Sequence, residues 1–219
     1  MNPRWNILIP TIGQRNDRFL TLLKDLLLQT EPMDGAVHVT ALWNNGERPL
    51  STVRQSLVDD AVGDYISFVD DDDQLPSYYV SKVFPLLDGV DQIGWRMQCI
   101  QDGISLKPTF HSVCYPQWSE DDHGYYRDVS HLNPIRIELA READFRRGEP
   151  PEDVSWANQM NGKVRTEHYI DDIMYVYRAS SGDSTWNGYH LRAGHYNRPD
   201  VIHPNFTYHP ESSSGHVCW

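Results

Sequence analysis

The run Tyr65-Ile66-Ser67-Phe68-Val69-Asp70-Asp71-Asp72-Asp73-Gln74-Leu75-Pro76 sets four consecutive carboxylates at the end of an uncharged, aromatic and β-branched pentapeptide. Tyr65 to Val69 reads as a buried strand. Side chains at i and i+2 of an extended segment share a face, about 7 Å apart along the backbone, so Asp70 and Asp72 project together. Like charges that close repel by about 1 kcal/mol in bulk water and by more when desolvated, and a bound divalent cation reverses the balance. Oxygen ligands alone favour Mg²⁺, Mn²⁺ or Ca²⁺ over zinc. The alternative, a solvated turn or helix cap, is disfavoured by the strand in front. Pro76 and the missing central glycine and closing glutamate exclude an EF-hand loop.

Upstream of this run, Asn6 to Pro10 is a short apolar strand. Leucines and Phe19 then recur at helical spacing up to Gln29, Val37 to Trp43 is a second strand, and Leu50 to Ala61 a second helix. Strands alternating with helices imply a mostly parallel sheet covered on both faces, which binds ligands at the carboxyl ends of its strands. Pro10-Thr11, Trp43-Asn44 and Val69-Asp70 all fall at that edge. Downstream, the pattern predicts a helix over 77–87, a hairpin of 92–100 with 105–112 turning at Gln101-Asp102-Gly103, and a helix from about Asn133-Pro134. A further helix is expected after Pro150-Pro151, then two short strands within Thr166 to Arg178. From Ala179 onward the composition predicts a loop-rich arm.

The chain has 219 residues, 39% of them hydrophobic, enough for one ordinary domain. Its formal charge of −12 disfavours coating of nucleic acid or anionic membrane by bulk electrostatics. No apolar stretch approaches the ~20 residues that span a bilayer, and Met1 to Trp5 lacks a signal-peptide layout. Cys99, Cys114 and Cys218 are too scattered for a disulfide framework or metal knuckle, so a soluble protein of a reducing, cytoplasmic compartment is expected.

Several blocks occur in an order that resembles the family 2 glycosyltransferases of the GT-A fold. They are Ile7 to Thr11, Leu27 to Thr30, Leu50 to Gln55, Gly63 to Asp73, His131 to Arg136, Pro151 to Trp156, Lys163 to Glu167 and Tyr175 to Arg178. The resemblance covers roughly residues 5 to 180. It implies an α/β GT-A (Rossmann-like) domain over 1–180, with a nucleotide-sugar and metal half at 1–90, an acceptor half at 91–180, and residues 181–219 as the arm.

By this resemblance Asp70-x-Asp72 is the Asp-x-Asp motif that holds Mn²⁺ or Mg²⁺ against the diphosphate of a nucleotide sugar, a UDP-sugar among the candidates. Asp72 is then the direct ligand and Asp70 contacts the ribose or a metal-bound water. Pro10, Thr11, Asn44, Arg54, Asp71 and Arg178 are expected around the donor, and Asp73 orients the others or completes the metal's sphere. Asp153 would be the general base of an inverting transfer and Glu152 its support or an acceptor ligand. Trp156 would stack on an acceptor ring, and His131 would either face the acceptor or only cap the helix that follows it. Read locally, the Glu152-Asp153 pair can equally favour the dipole of its own helix, and Asn45-Gly46 can be a plain turn.

The chain departs from the family at Asn44-Asn45-Gly46-Glu47, where an acidic base-reading residue is usual, and in the short connection from there to Leu50. It departs again at Tyr177-Arg178, where many GT-A enzymes carry a metal-binding histidine. His190, His195, His203 and His209 are outside candidates for that ligand. The competing classes are a nucleotidyltransferase, which normally needs a Gly-rich basic loop that Thr11 to Asn16 only faintly resembles, and a non-catalytic sugar or nucleotide-binding module. Trp118, Tyr125, Tyr126, Trp186 and Tyr189 suit any acceptor ring. A glycan is the default acceptor, with a hydroxymethylated base in viral duplex DNA as the alternative.

Overall fold

The computed structural model describes residues 4–115, 117–147 and 151–179, and the backbone of a short strand at His216–Val217. The expected arm therefore lies almost wholly outside the described residues, as do Trp186, Tyr189 and the four outside histidines.

Three parallel strands form the heart of the fold: β1 (Trp5–Thr11), β2 (Val37–Trp43) and β3 (Tyr65–Phe68). Every residue of β1 and β3 is buried, as continuous apolar runs of a doubly covered sheet should be. Helix α1 (Asn16–Thr30) buries Phe19, Leu22, Leu26 and Thr30, one face at helical spacing. Helix α2 (Leu50–Asp60) buries Val53, Arg54, Gln55, Leu57 and Val58, an apolar face with an arginine in it. Between β2 and α2 lies only a loop, as the short connection predicted.

Beyond β3 antiparallel pairs join the parallel ones. The remaining helices and strands are α3 (Tyr79–Val83), β4 (Gln92–Gln101), β5 (Ile104–Ser105), β6 (Thr109–His111), β7 (Ser119–Glu120), β8 (Tyr125–Arg127), β9 (Ile135–Arg136), α4 (Ile137–Ala140), α5 (Glu152–Met160), β10 (Thr166–Ala179) and β11 (His216–Val217). The order is β2-β1-β3-β9-β4-β6-β8-β7, with β10 also on β4 and β11 on β10. Because β9 is antiparallel to both β3 and β4, and β10 is parallel to β4, strands β3, β4 and β10 point the same way. Their carboxyl ends share one edge.

Several expectations are corrected. The two short strands within Thr166 to Arg178 are one 14-residue strand with register shifts between Ile170 and Tyr175. The bulge turns Asp171 and Asp172 outward, to Arg96 and Lys82, while the flanking residues stay paired with β4. No helix starts at Asn133-Pro134. The Asn133 side chain is buried between the carbonyl of Ile93, at 2.9 Å, and the His111 ring, at 2.8 Å, and the Pro134 carbonyl accepts from Ile93 N–H. Those tertiary bonds hold the segment extended into β9, and the helix is one turn, α4. The helix expected over 77–87 shrinks to α3 and a 3-10 turn at Phe84–Leu86, where Pro85 removes a donor. The hairpin turn stands at Asp102 and Gly103, with φ of 49° and 82°, but its return strand is split into β5 and β6.

Candidate active site

The aspartate run leaves β3 in a tight turn, with Asp73 N–H donating to the Asp70 carbonyl at 3.2 Å. Two of its members tie that turn to the neighbouring strands. Asp71 accepts from the Thr11 hydroxyl at 2.8 Å and Ile12 N–H at 3.1 Å through one oxygen, and from Arg15 at 3.1 Å through the other. Asp73 accepts from the Tyr175 hydroxyl and from Arg178 N–H, each at 2.8 Å. The same Tyr175 oxygen accepts from Asp70 N–H at 3.0 Å, and Gln74 and Val176 exchange backbone bonds, which fasten the turn to β10.

Asp70 and Asp72 are placed differently. Asp70 Oδ1 accepts from Arg54 at 2.8 Å and Asp72 Oδ2 lies 3.0 Å from Arg15, and the second oxygen of each has no side-chain partner among the described residues. The run is a turn and not the extended segment expected, and the turn separates two anchoring carboxylates from two with an oxygen to offer. Such a pair fits a hard divalent ion. Among the described residues no three His, Cys, Asp or Glu side chains assemble into a metal cage, so such an ion would complete its shell with donor and water oxygens.

Arg54 joins this turn to the second acidic pair. From the buried face of α2 its Nη2 donates to Asp70 and its Nη1 to Glu152 Oε1, each at 2.8 Å. Its Nε is buried without a partner. Burial alone would lower its pKa, but the charges of Asp70, Glu152 and Asp153 outweigh that and raise it. Glu152 and Asp153 open α5 behind Pro151, whose position at the helix start leaves no side-chain cap. Asp153 accepts from its neighbour Val154 N–H at 2.9 Å, while Glu152 reaches across 98 residues to Arg54.

The electrostatics separate the carboxylates further. Burial pushes the Asp70 carboxyl up, but Arg54, with His131 and Arg15 behind it, pulls it below the ordinary range. Burial lifts Asp72 to about 6, with Asp70 and Asp71 adding to the rise and Arg15 only partly offsetting it. His131 is buried against Phe68 and Phe145. Burial and then Arg54 lower its pKa to about 4, against the opposing pull of Asp153 and Asp70. It is a neutral imidazole at neutral pH, with Nε2 buried and unpartnered.

Some expected site residues do other work. Trp156 is 1% exposed and stacks on Phe145 with ring centroids 5.2 Å apart and planes 7° from parallel, so it is core and offers no face to an acceptor. The Asn44 amide donates to the Arg48 carbonyl and accepts from Arg48 N–H, closing its own loop instead of facing outward. Arg54 binds carboxylates on both sides, where a donor contact was expected. The Arg178 side chain donates to Gln74 Oε1, and Pro10 lies within β1 opposite Leu42.

Three residues at this edge were given no role by sequence reasoning, although Trp43 was placed at the edge. Arg15 and Tyr175 meet the aspartates only through the fold, 56 and 102 residues from their partners. Trp43, 44% exposed at the end of β2, is held by Nε1 donating to Asn45 Oδ1 at 2.6 Å and by the edge of Phe19. A Cβ on Gly13 would sit 3.1 Å from its ring. An aromatic ending a strand at the ligand-binding edge was the available signal.

No family model matches the chain, and no curated protein matches its sequence. Its backbone is nevertheless similar to S. aureus TarS, a GT-A-type glycosyltransferase. TarS 1-349 superposes with a TM-score of 0.56 at 14% identity, over 80% of this chain and 60% of that one. The fold is GT-A-like. TarS 1-349 in complex with UDP-GlcNAc gives a TM-score of 0.55 at 13% identity, over 85% and 61% of the two chains, and its complex with UDP gives 0.52 at 13%, over 81% and 61%. The chain thus spans about three fifths of the length of TarS 1-349. In the GT-A frame the edge carrying Asp70, Asp72, Arg54 and Glu152 is the carboxyl edge of the parallel strands, where open α/β sheets bind ligands.

Proposed function

We propose that this protein is a metal-dependent, inverting glycosyltransferase that moves a sugar from a nucleoside-diphosphate sugar, of the UDP class, to a hydroxyl of a glycan acceptor. The observation that carries this reading is the Arg54 bridge. In a GT-A-like fold, it ties Asp70, one of the two carboxylates with an oxygen to offer among the described residues, directly to Glu152 at the acidic start of α5. A nucleotidyltransferase would want a basic, glycine-rich loop against the triphosphate, whereas the loop after β1 carries a single glycine, Gly13, and a single basic residue, Arg15.

Asp70 and Asp72 would hold Mn²⁺ or Mg²⁺, which when bound neutralises charge on the departing diphosphate. Asp71 and Asp73 keep the turn between β1 and β10 in shape, so the backbone that carries the two ligands is in place before the donor arrives. The half-buried Asp153 carboxylate takes the proton of the acceptor hydroxyl while that oxygen forms its bond to the anomeric carbon. The bond from that carbon to the diphosphate breaks, its electron pair leaves with the nucleoside diphosphate, and the configuration inverts. Glu152, pinned by Arg54, fixes the first turn of α5 and so the place of the base. Trp43, standing beside the β1 loop, is suited to stack on the donor's nucleobase.

The test is a donor screen in Mn²⁺ with detection of the released nucleotide. Release of nucleoside diphosphate from UDP-sugars is expected, and release of sugar 1-phosphate from them, or of pyrophosphate when UTP and a sugar 1-phosphate are supplied instead, would overturn the reading. Asp153→Asn should retain donor binding and lose turnover by about 10²–10⁴-fold. A near-normal rate removes Asp153 as the base.

A further inference from the structure

Arg15 is the one residue at the aspartate turn whose placement the transfer chemistry leaves unexplained. It ends the 3-10 turn Gly13–Arg15 that follows β1. Its Nη1 lies 3.1 Å from Asp71 Oδ1 and 3.0 Å from Asp72 Oδ2. The two carboxylates stand on different footings. Asp71 has its other oxygen fixed by the Thr11 hydroxyl and Ile12 N–H, whereas Asp72 has no side-chain partner but Arg15 among the described residues. A guanidinium holding both can therefore release Asp72 while remaining anchored on Asp71.

We propose that Arg15 is a displaceable counterion: it holds Asp72 until a divalent ion takes that carboxylate, and its guanidinium then turns to the diphosphate of the donor. The inference rests on the metal-dependent reading above. Three physical points carry it. First, a divalent ion on Asp72 and a guanidinium on the same carboxylate repel each other, so the ion binds poorly while Arg15 stays. Second, guanidinium presents a planar fork of N–H donors that matches phosphate oxygens, so a diphosphate arriving at the same edge gives it a better-matched partner than one carboxylate oxygen. Third, the side chain is 29% exposed against 5% for Arg54, so Arg15 is the guanidinium of the two that an arriving ligand can reach. The consequence is coupling. Metal and nucleoside diphosphate each remove an obstacle to the other, and linkage makes the effect reciprocal.

The experiment measures Mn²⁺ binding by the loss of its free-ion electron paramagnetic signal, with and without UDP, in the wild type, Arg15→Gln and Asp72→Asn. UDP binding without metal is measured in parallel. In the wild type UDP should tighten Mn²⁺ binding strongly. In Arg15→Gln, Mn²⁺ alone should bind about tenfold more tightly than to the wild type, and the tightening by UDP should shrink. Equal or weaker Mn²⁺ binding by Arg15→Gln, or an undiminished UDP effect, overturns the proposal and leaves the transferase reading standing. Absence of Mn²⁺ binding in wild type and variant alike, with UDP present, overturns the metal reading and this inference with it. Arg15→Lys guards against a folding defect. It keeps the charge without the fork, so it should hold Mn²⁺ affinity near the wild-type value while losing part of the UDP effect. Mn²⁺ should also raise the melting temperature of Arg15→Gln more than that of the wild type, and an equal rise counts against the proposal.

Discussion

Replacing Arg54 by methionine keeps most of the side-chain volume and removes the charge that Asp70 and Glu152 share. Arg54 is 4% exposed, and both of its bonds, at 2.8 Å, are charge-assisted. Breaking a buried ion pair by removing one partner costs about 3–5 kcal/mol. The side chains of Asp70 and Glu152 are each 22% exposed, so water screens part of the exposed charge and the lower end, about 3 kcal/mol, is expected. For a chain of this length that corresponds to a fall in melting temperature of about 6–12 °C. Urea unfolding followed by circular dichroism at pH 7.5 measures it, with an unchanged slope as the sign that two-state behaviour holds. The pH dependence gives a second check. Arg54 depresses the Asp70 pKa in the folded state, so this stabilisation is present above the unfolded value near 4 and is lost as pH falls through the lower folded value. The deficit of Arg54→Met should therefore be largest at neutral pH and shrink in acid, and adding Asp70→Asn should recover part of it. A loss under 1 kcal/mol, or one that does not change between pH 7.5 and the acid end of the stable range, would refute the bridge as a structural link.

The remaining predictions concern its neighbours. Asp72 is raised from 3.8 to about 6 in the fold. It binds protons more tightly folded than unfolded, and metal-free wild-type protein gains stability as pH falls from about 6 to 4. Asp72→Asn should thus be more stable than wild type by about 1–3 kcal/mol at pH 7.5 without divalent ion and equal to it near pH 4; lower stability at pH 7.5 contradicts the shift. Tyr175→Phe removes the acceptor of Asp70 N–H and a donor to Asp73, both buried, and should cost about 1–3 kcal/mol in urea unfolding. A neutral result would mean the turn does not need β10. Trp156→Phe should cost stability through lost packing on Phe145, with Trp156→Ala losing about 3–5 kcal/mol, while the acceptor KM of Trp156→Phe stays at the wild-type value. A tenfold rise in that KM with stability unchanged would put the indole back at the acceptor.

The first half of the fold was legible because its signals are local. Uninterrupted apolar runs gave β1 and β3, and helical spacing gave α1 and α2, with Val37–Trp43 read to the residue. The second half is governed by contacts between distant residues. Nothing near Asn133 announces that its amide will be buried between Ile93 and His111, and the paired aspartates at 171 and 172 disguise a bulged strand as two. At the site, residue types and spacing identified the acidic groups but not their partners, since the Arg15 and Tyr175 bonds close over 56 and 102 residues. Two misreadings had a usable signal. Trp156, Ala157 and Met160 form one apolar stripe of α5, which marks Trp156 as core. Arg54 stands among Val53, Leu57 and Val58 on the inner face of α2, which marks it as an arginine that binds carboxylates inside the protein.

Four identical side chains in a row acquire four environments because each meets a different strand or helix. The turn sends Asp71 toward the β1 loop and Asp73 toward β10, where both oxygens of each are taken, and leaves Asp70 and Asp72 each with one guanidinium as side-chain partner among the described residues. The two guanidiniums differ as much as the carboxylates. Arg54 is enclosed and shared with Glu152, so its pair with Asp70 is a permanent part of the architecture. Arg15 is more open, and Asp72, its pKa lifted to about 6, has no other side-chain partner among the described residues. A cation arriving at this edge therefore meets a carboxylate at Asp72 that only Arg15 holds, with Asp70 already oriented beside it. Substitutions along the run should accordingly fall into two kinds. Those at Asp71 or Asp73 act through the shape of the turn, and those at Asp70 or Asp72 act through charge at the site.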